Sequence, residues 1–222
     1  MSQRRPYSSF FVRGLAKLAL AVVIAFVGLV TASLKSSEHH VPVSFKNVAA
    51  SVHQSPAGYD DIMVTRVIDG DTLVLENKEH VRLIGIDTPE SRKNEKAYRD
   101  SDRTGMDVAK IVQLGNEAKN FTKHLVEGQR VRLEFDVTAH DKYGRLLAYV
   151  YLKSDPALNS DPSYVRNDHN EVFVNATIMK SGYASPMTIP PNVKHADYFR
   201  ELYSQARQEK RGLWHQPRLV QK

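Results

Sequence analysis

The chain has no cysteine, which excludes disulfide bonds, a thiolate nucleophile and any cysteine-ligated zinc site. It also has no acidic residue before Glu38, so Arg4, Arg5, Arg13 and Lys17 form an unbalanced basic flank. With those four set aside, the formal charge of +6 falls to +2. Bulk charge therefore argues little about partners, and a case for nucleic acid must rest on local placement. The 222 residues, 41% of them hydrophobic, suit one globular domain with appendages. The basic flank precedes an uncharged run, 18–34, in the order of an export signal. At 17 residues the run is at the short limit for a membrane span. Residues 30–32 offer small side chains to a signal peptidase, while the continuation of the run to Leu34 favours a retained anchor. Residues 1–35 are thus expected to be a signal peptide or membrane anchor, and the remainder to be exported. Residues 36–60 lack a sustained period and read as a linker; the pair His39 and His40 in it reads as solvated polar sequence. The domain is expected over 61–216, with a tail at 217–222.

The stretch VTRVIDGDTLVLENKEHVRLIGIDTPE at 64–90 organises the rest. Its apolar residues fall into three short runs separated by turn chemistry, which predicts a small antiparallel sheet. The Asp69-Gly70-Asp71-Thr72 segment is a strong hairpin signal. Asp69, Asp71, Asp87 and Glu90 gather at the rim of that sheet, with Arg82 on its third run. Like charges about 4 Å apart repel by about 4 kcal/mol at an effective dielectric of 20. Such a cluster needs a cation or a shared proton. Carboxylates without cysteine or a paired-histidine motif favour calcium or magnesium over zinc. Taken singly, Asp69, Asp71 and Asp87 also read as turn formers, and Arg82 on an apolar strand expects either an anion or a carboxylate partner.

Residues 91–113 are rich in Arg, Lys, Asp and Asn and read as a long, polar, mobile loop. Ala118, Phe121, Thr122 and Leu125 have helical spacing, which predicts a helix over 116–127 stopped by Gly128. Alternation over 130–138 predicts a half-exposed strand, DKYGR at 141–145 a turn, and 146–152 a fifth strand. The order of three strands, helix and two strands is that of an OB-type barrel, whose face and loops bind oligonucleotides; a ferredoxin-like fold lacks its first helix here. Residues 153–171 form a polar insertion without EF-hand spacing, followed by helices predicted over 173–180 and 196–210. The predicted class is α+β, mainly β: a five-stranded barrel with three helices. Both polar segments, 91–113 and 153–171, are expected to flank a substrate groove.

IDGDT at 68–72, VRLIGIDTPE at 81–90, DKYGR at 141–145 and the helix leading to GLW at 212–214 together resemble the staphylococcal nuclease family, in order from about residue 62 to 214. The resemblance implies that Asp71 and Asp87 are direct calcium ligands with the Thr88 carbonyl as a third, and that Asp69 belongs to the ion's outer shell. It further implies that Arg82 and Arg145 hold the scissile phosphate and that Glu90 is the general base. Lys142 and Tyr143 match positions that contact the nucleotide. Charge that builds on phosphoryl oxygens is neutralised better by planar guanidinium forks than by lysine, and a carboxylate can take the proton of an attacking water. The expected activity is calcium-dependent hydrolysis of single-stranded or locally open DNA and RNA, leaving 3′-phosphate ends, with no protein partner. The family's later stacking tyrosines are not matched: the chain after Gly182 reads YASPMTIPPN, and Tyr183 stands at another offset. A non-catalytic binding module of the same fold is the alternative, but it has no need of the full set Asp71, Arg82, Asp87, Glu90 and Arg145.

Overall fold

The computed structural model describes residues 58–153 and 164–215. The expected signal or anchor, most of the linker and the tail lie outside them, as do Asp155 and Asp161 of the polar insertion. Among the described residues no helix is long and apolar enough to cross a membrane.

Strands β1 (Ile62–Asp69), β2 (Thr72–Leu75) and β3 (His80–Leu83) form the antiparallel meander expected from the three apolar runs. The third run divides at Gly85, whose positive φ of 82° turns the chain out of the sheet. Its continuation, β4 (Gly85–Asp87), pairs instead with β8 (Ser185–Met187). Strands β5 (Arg130–Glu134) and β6 (Leu146–Leu152) pair with each other, and β1 pairs with β5. A parallel β3–β6 pairing then closes a five-stranded barrel, with the short β7 (Val172–Phe173) added beside β6. Closure removes unpaired sheet edges and buries Val64, Leu73, Val81, Leu83, Val131, Leu133 and Val150 in one core. Asn175 in that core donates to the Ile84 carbonyl at 2.9 Å and accepts from the Val150 amide at 3.0 Å. It thereby satisfies backbone groups where the third run leaves the barrel.

The expected loop at 91–113 is helical. Helix α1 (Glu95–Thr104) and the start of helix α2 (Val108–Val126) span most of it, so the described residues contain four α-helices, with α3 (Val174–Lys180) and α4 (Ala196–Gln208), and not three. The Asn94 side chain caps α1 by accepting from the Ala97 amide, and Gly105 closes it in a left-handed conformation. Only Ala97 of α1 is buried, which is why hydrophobic periodicity misses it. Helix α2 begins eight residues before the expected start because Ile111 and Leu114 extend the buried stripe of Ala118, Thr122 and Leu125. Strand β5 stops short of 138: Asp136 accepts from the Lys194 amide, Thr138 pairs with Asn192, and Val137 is exposed. In the insertion, Glu171 clamps Arg132 through both carboxylate oxygens at 2.6 and 3.0 Å.

At the start of α4, His195 packs among Tyr149, Phe173 and Phe199. Burial, with the adjacent Lys194 charge, pushes its imidazole down to about 4. An unfolded histidine takes its proton near pH 6.5. Between the two values the unfolded chain binds more protons, so this contribution is complete above about pH 6.5 and is lost as the pH falls toward 4. The ring is 22% exposed, and after discounting for solvent the effect is about 1–2 kcal/mol. Urea midpoints at pH 7 and pH 5 should therefore separate more in the native chain than in His195→Phe. Equal separations would remove His195 from the acid response.

Candidate active site

The β1–β2 turn, the β3–β4 bend and the Asp141 to Arg145 turn open onto one groove of about 600 Å³. Asp69, Asp71, Arg82, Asp87, Glu90, Lys142, Tyr143 and Arg145 all line it. Thr88 is buried beside Asp71, donating its amide at 2.9 Å and its hydroxyl at 3.0 Å to Asp71 Oδ2. The structure thus brings together all nine residues singled out in the sequence. Thr72 pairs with Arg82 across β2 and β3, which sets Arg82 against the neighbouring Asp71. The guanidinium makes an ion contact to Asp71 through Nη1 and donates to Asp87 Oδ1 at 2.9 Å through Nη2. Burial lowers the Arg82 pKa, with the Asp87 charge opposing it and the Arg145 charge adding to it. Both readings of Arg82 therefore meet here: carboxylates hold a fork that borders an open groove.

Glu90 is held at both oxygens. Lys96 Nζ lies 2.8 Å from Oε1 and Asn94 donates to Oε2 at 2.6 Å. Burial alone would raise the carboxyl, but these hydrogen bonds and the Lys96 charge outweigh it and leave Glu90 below the usual glutamate range. Its backbone is braced by α2. A side chain at Gly115 would overlap the Glu90 carbonyl, and Asn116 donates to Ser91 O at 3.3 Å. Asp69 turns toward Ser91, accepting from its amide and hydroxyl. On the far wall, Asp141 accepts from Arg145 Nε at 2.7 Å and from the Tyr143 and Arg145 amides. Burial would raise this carboxyl too, but the bonds from Arg145 dominate and lower it. Lys142 and Arg145 lie 5.0 and 5.7 Å from the Tyr143 ring centre, and Tyr143 is largely exposed.

Among the described residues, no group of three or more His, Asp or Glu side chains could hold a metal ion by itself. The fit to a divalent ion therefore rests on two carboxylates and a main-chain oxygen. Asp71 and Asp87 share Arg82, while Asp87 and the Thr88 carbonyl share Lys96, at 3.3 and 3.2 Å. All three are oxygen donors, the type that a hard divalent ion takes.

Sequence reasoning missed Lys96 and the wall made by Met187, Ile189, Pro190 and Pro191. The Asn94 cap, had it been read as a helix start, was a signal for the first. The wall depends on the β4–β8 pairing, for which the sequence carries no local sign. Tyr183 stacks on Phe121 at 4.5 Å and does not belong to the groove lining.

The profile of the family described as staphylococcal nuclease homologue matches residues 80–216. Thermonuclease of Staphylococcus intermedius is 34% identical over 158 residues, covering 70% of this chain and 76% of the relative. Thermonuclease of Staphylococcus hyicus is 29% identical over 201 residues, 89% of this chain and 98% of the relative. Endonuclease YncB of Bacillus subtilis is 31% identical over 159 residues, 69% of this chain and 61% of the relative. With the closed barrel and the groove at its rim, these similarities lead to one conclusion: the chain belongs to the staphylococcal nuclease family and is a phosphodiester-hydrolysing nuclease.

Proposed function

We propose that the protein is a calcium-dependent endonuclease that hydrolyses DNA and RNA with little sequence preference and leaves 3′-phosphate ends. The observation that carries this reading is the convergence on one groove of two guanidinium groups, an ionised Glu90 and the carboxylates of Asp71 and Asp87, with Thr88 buried against Asp71. The two relatives named thermonuclease support it.

Arg82, held by Asp71 and Asp87, and Arg145, held by Asp141, both line the groove and would hold the phosphate there. Each neutralises charge that builds on the phosphoryl oxygens, and their pre-set positions need little reorganisation as the reaction proceeds. Glu90 is unprotonated at neutral pH and accepts the proton of the attacking water. Asp71, Asp87 and the Thr88 carbonyl would hold the calcium ion, which supplies Lewis-acid neutralisation of the phosphate. Little sequence preference follows from a groove whose charged groups address the backbone, with Lys142 and Tyr143 offering charge and a stacking face that any base can use. The basic flank ahead of 18–34 supports export, with the chain secreted or anchored by that segment.

Digestion of single-stranded DNA and of RNA by the full chain, with calcium, with magnesium and with chelator, tests the reading. Cleavage should require calcium and stop with chelator, and the fragments should carry 5′-hydroxyl ends that polynucleotide kinase labels without prior phosphatase. Cleavage indifferent to chelator would overturn the metal assignment, and 5′-phosphate fragments would overturn the stated polarity.

Gly115→Ala gives a second check, because it moves the Glu90 backbone without touching a charged group. Turnover should fall about tenfold, with binding of a short oligonucleotide little changed, since small misplacements of a reacting group are costly. Unchanged turnover would mean that α2 does not position Glu90.

A further inference from the structure

Three oxygens at the site are already engaged by a cation that belongs to the chain. Lys96 Nζ lies 2.8 Å from Glu90 Oε1, 3.2 Å from the Thr88 carbonyl and 3.3 Å from Asp87 Oδ1. Two of these, the Asp87 carboxylate and the Thr88 carbonyl, are oxygens assigned above to the divalent ion. An ion coordinated at about 2.3–2.6 Å by those oxygens would share their lone pairs with the ammonium and stand within a few ångströms of a like charge. The two cannot be held together without strong repulsion.

We propose that Lys96 is a tethered competitor of the divalent ion: its ammonium holds Asp87, the Thr88 carbonyl and Glu90 together and must withdraw for the ion to bind. This rests on the reading of those oxygens as the metal site. The surroundings of Lys96 suit a withdrawing group. Its side chain is 28% exposed, so water is at hand for the freed ammonium. Asp100, one turn further along α1, stands 3.9 Å from Nζ and offers a partner outside the ion's ligand set. Helix α1 buries only Ala97, so it can shift at small cost in packing. Lys96 also links Glu90 to Asp87, so its withdrawal frees the general base and the ion's ligands in one movement. Metal uptake and release of Glu90 are thereby coupled.

The affinity of a site whose competent state is a minor population is reduced by that fraction. If the withdrawn state is about a tenth of the whole, Lys96→Met, which keeps most of the stem and removes the charge, should bind calcium about tenfold more tightly. Lys96→Arg keeps the charge and should stay within about threefold of the native chain. Calorimetric titration of the full chain with calcium reads both. Melting curves add a readout that a merely structural lysine would not give. Lys96→Met should melt lower than the native chain in chelator, where the acids lose their cation, and no lower at saturating calcium, where the ion replaces it. Calcium affinity that is unchanged or weaker in Lys96→Met would overturn the proposal, as would an equal loss of melting temperature in both conditions. Native chain that binds calcium with no gain in the variant defeats the competitor alone. Failure of either chain to bind calcium defeats the calcium reading as well.

Discussion

Glu90→Gln should lower turnover by at least about 100-fold while weakening nucleic-acid binding only modestly, because general-base contributions run about 10² to 10⁴. The substitution keeps the shape of the side chain. The amide oxygen can still accept one of the two hydrogen bonds that Lys96 and Asn94 give to the carboxylate, and the backbone contact with α2 is unchanged. What it removes is a site for the proton of the attacking water. The loss therefore belongs to the transition state and should appear in kcat far more than in KM. Loss of one negative charge from a groove that binds a polyanion works the other way on binding, which keeps the binding change small. Single-turnover cleavage of a labelled oligonucleotide, with affinity measured separately by anisotropy, separates the two effects. Turnover within a factor of a few of the native chain would remove Glu90 from the mechanism.

The parts of this site that were legible in the sequence lie close together along it. Asp69, Asp71, Arg82, Asp87 and Glu90 fall within 22 residues, and short-range turn chemistry is enough to bring their ends together. The barrel was legible for a similar reason: β1, β2, β3, β5 and β6 are short apolar stretches bounded by turns, and their order limits the closures available. Helix α1 was not legible because its signal is carried by its ends and hardly at all by burial. With Ala97 as its one buried residue, a polar helix and a polar loop have the same composition, and only Asn94 and Gly105 tell them apart. The position of Lys96 follows from that helix, so it was lost with it. The groove wall at Met187 and Ile189 was hidden for another reason. It is set by a pairing between β4 and β8 across about 100 residues, and the two three-residue strands carry too little pattern to announce it.

Arg82→Lys should lower kcat by about 10²- to 10³-fold, the range observed when one preorganised charge-stabilising donor is removed. A conservative exchange is severe here because the guanidinium performs two tasks at once. Nη1 contacts Asp71 and Nη2 donates to Asp87, so one planar group sets the separation of two carboxylates while the residue also lines the groove. A lysine ammonium is a single point of charge on a stem that cannot present two parallel donors. It can serve one carboxylate or lean toward the phosphate, but it cannot hold the first pair and meet the second with the geometry of a fork. The unmatched carboxylate then lies close to its neighbour, and repulsion between them disturbs the oxygens assigned to the ion. A second consequence follows: calcium affinity should change in Arg82→Lys, whereas an arginine acting only on substrate would leave it unaltered. Measuring calcium affinity and single-turnover cleavage on the same variant distinguishes the two roles. Turnover above about a tenth of the native value would show that a point charge suffices at position 82, and that the fork held by Asp71 and Asp87 is not what stabilises the transition state.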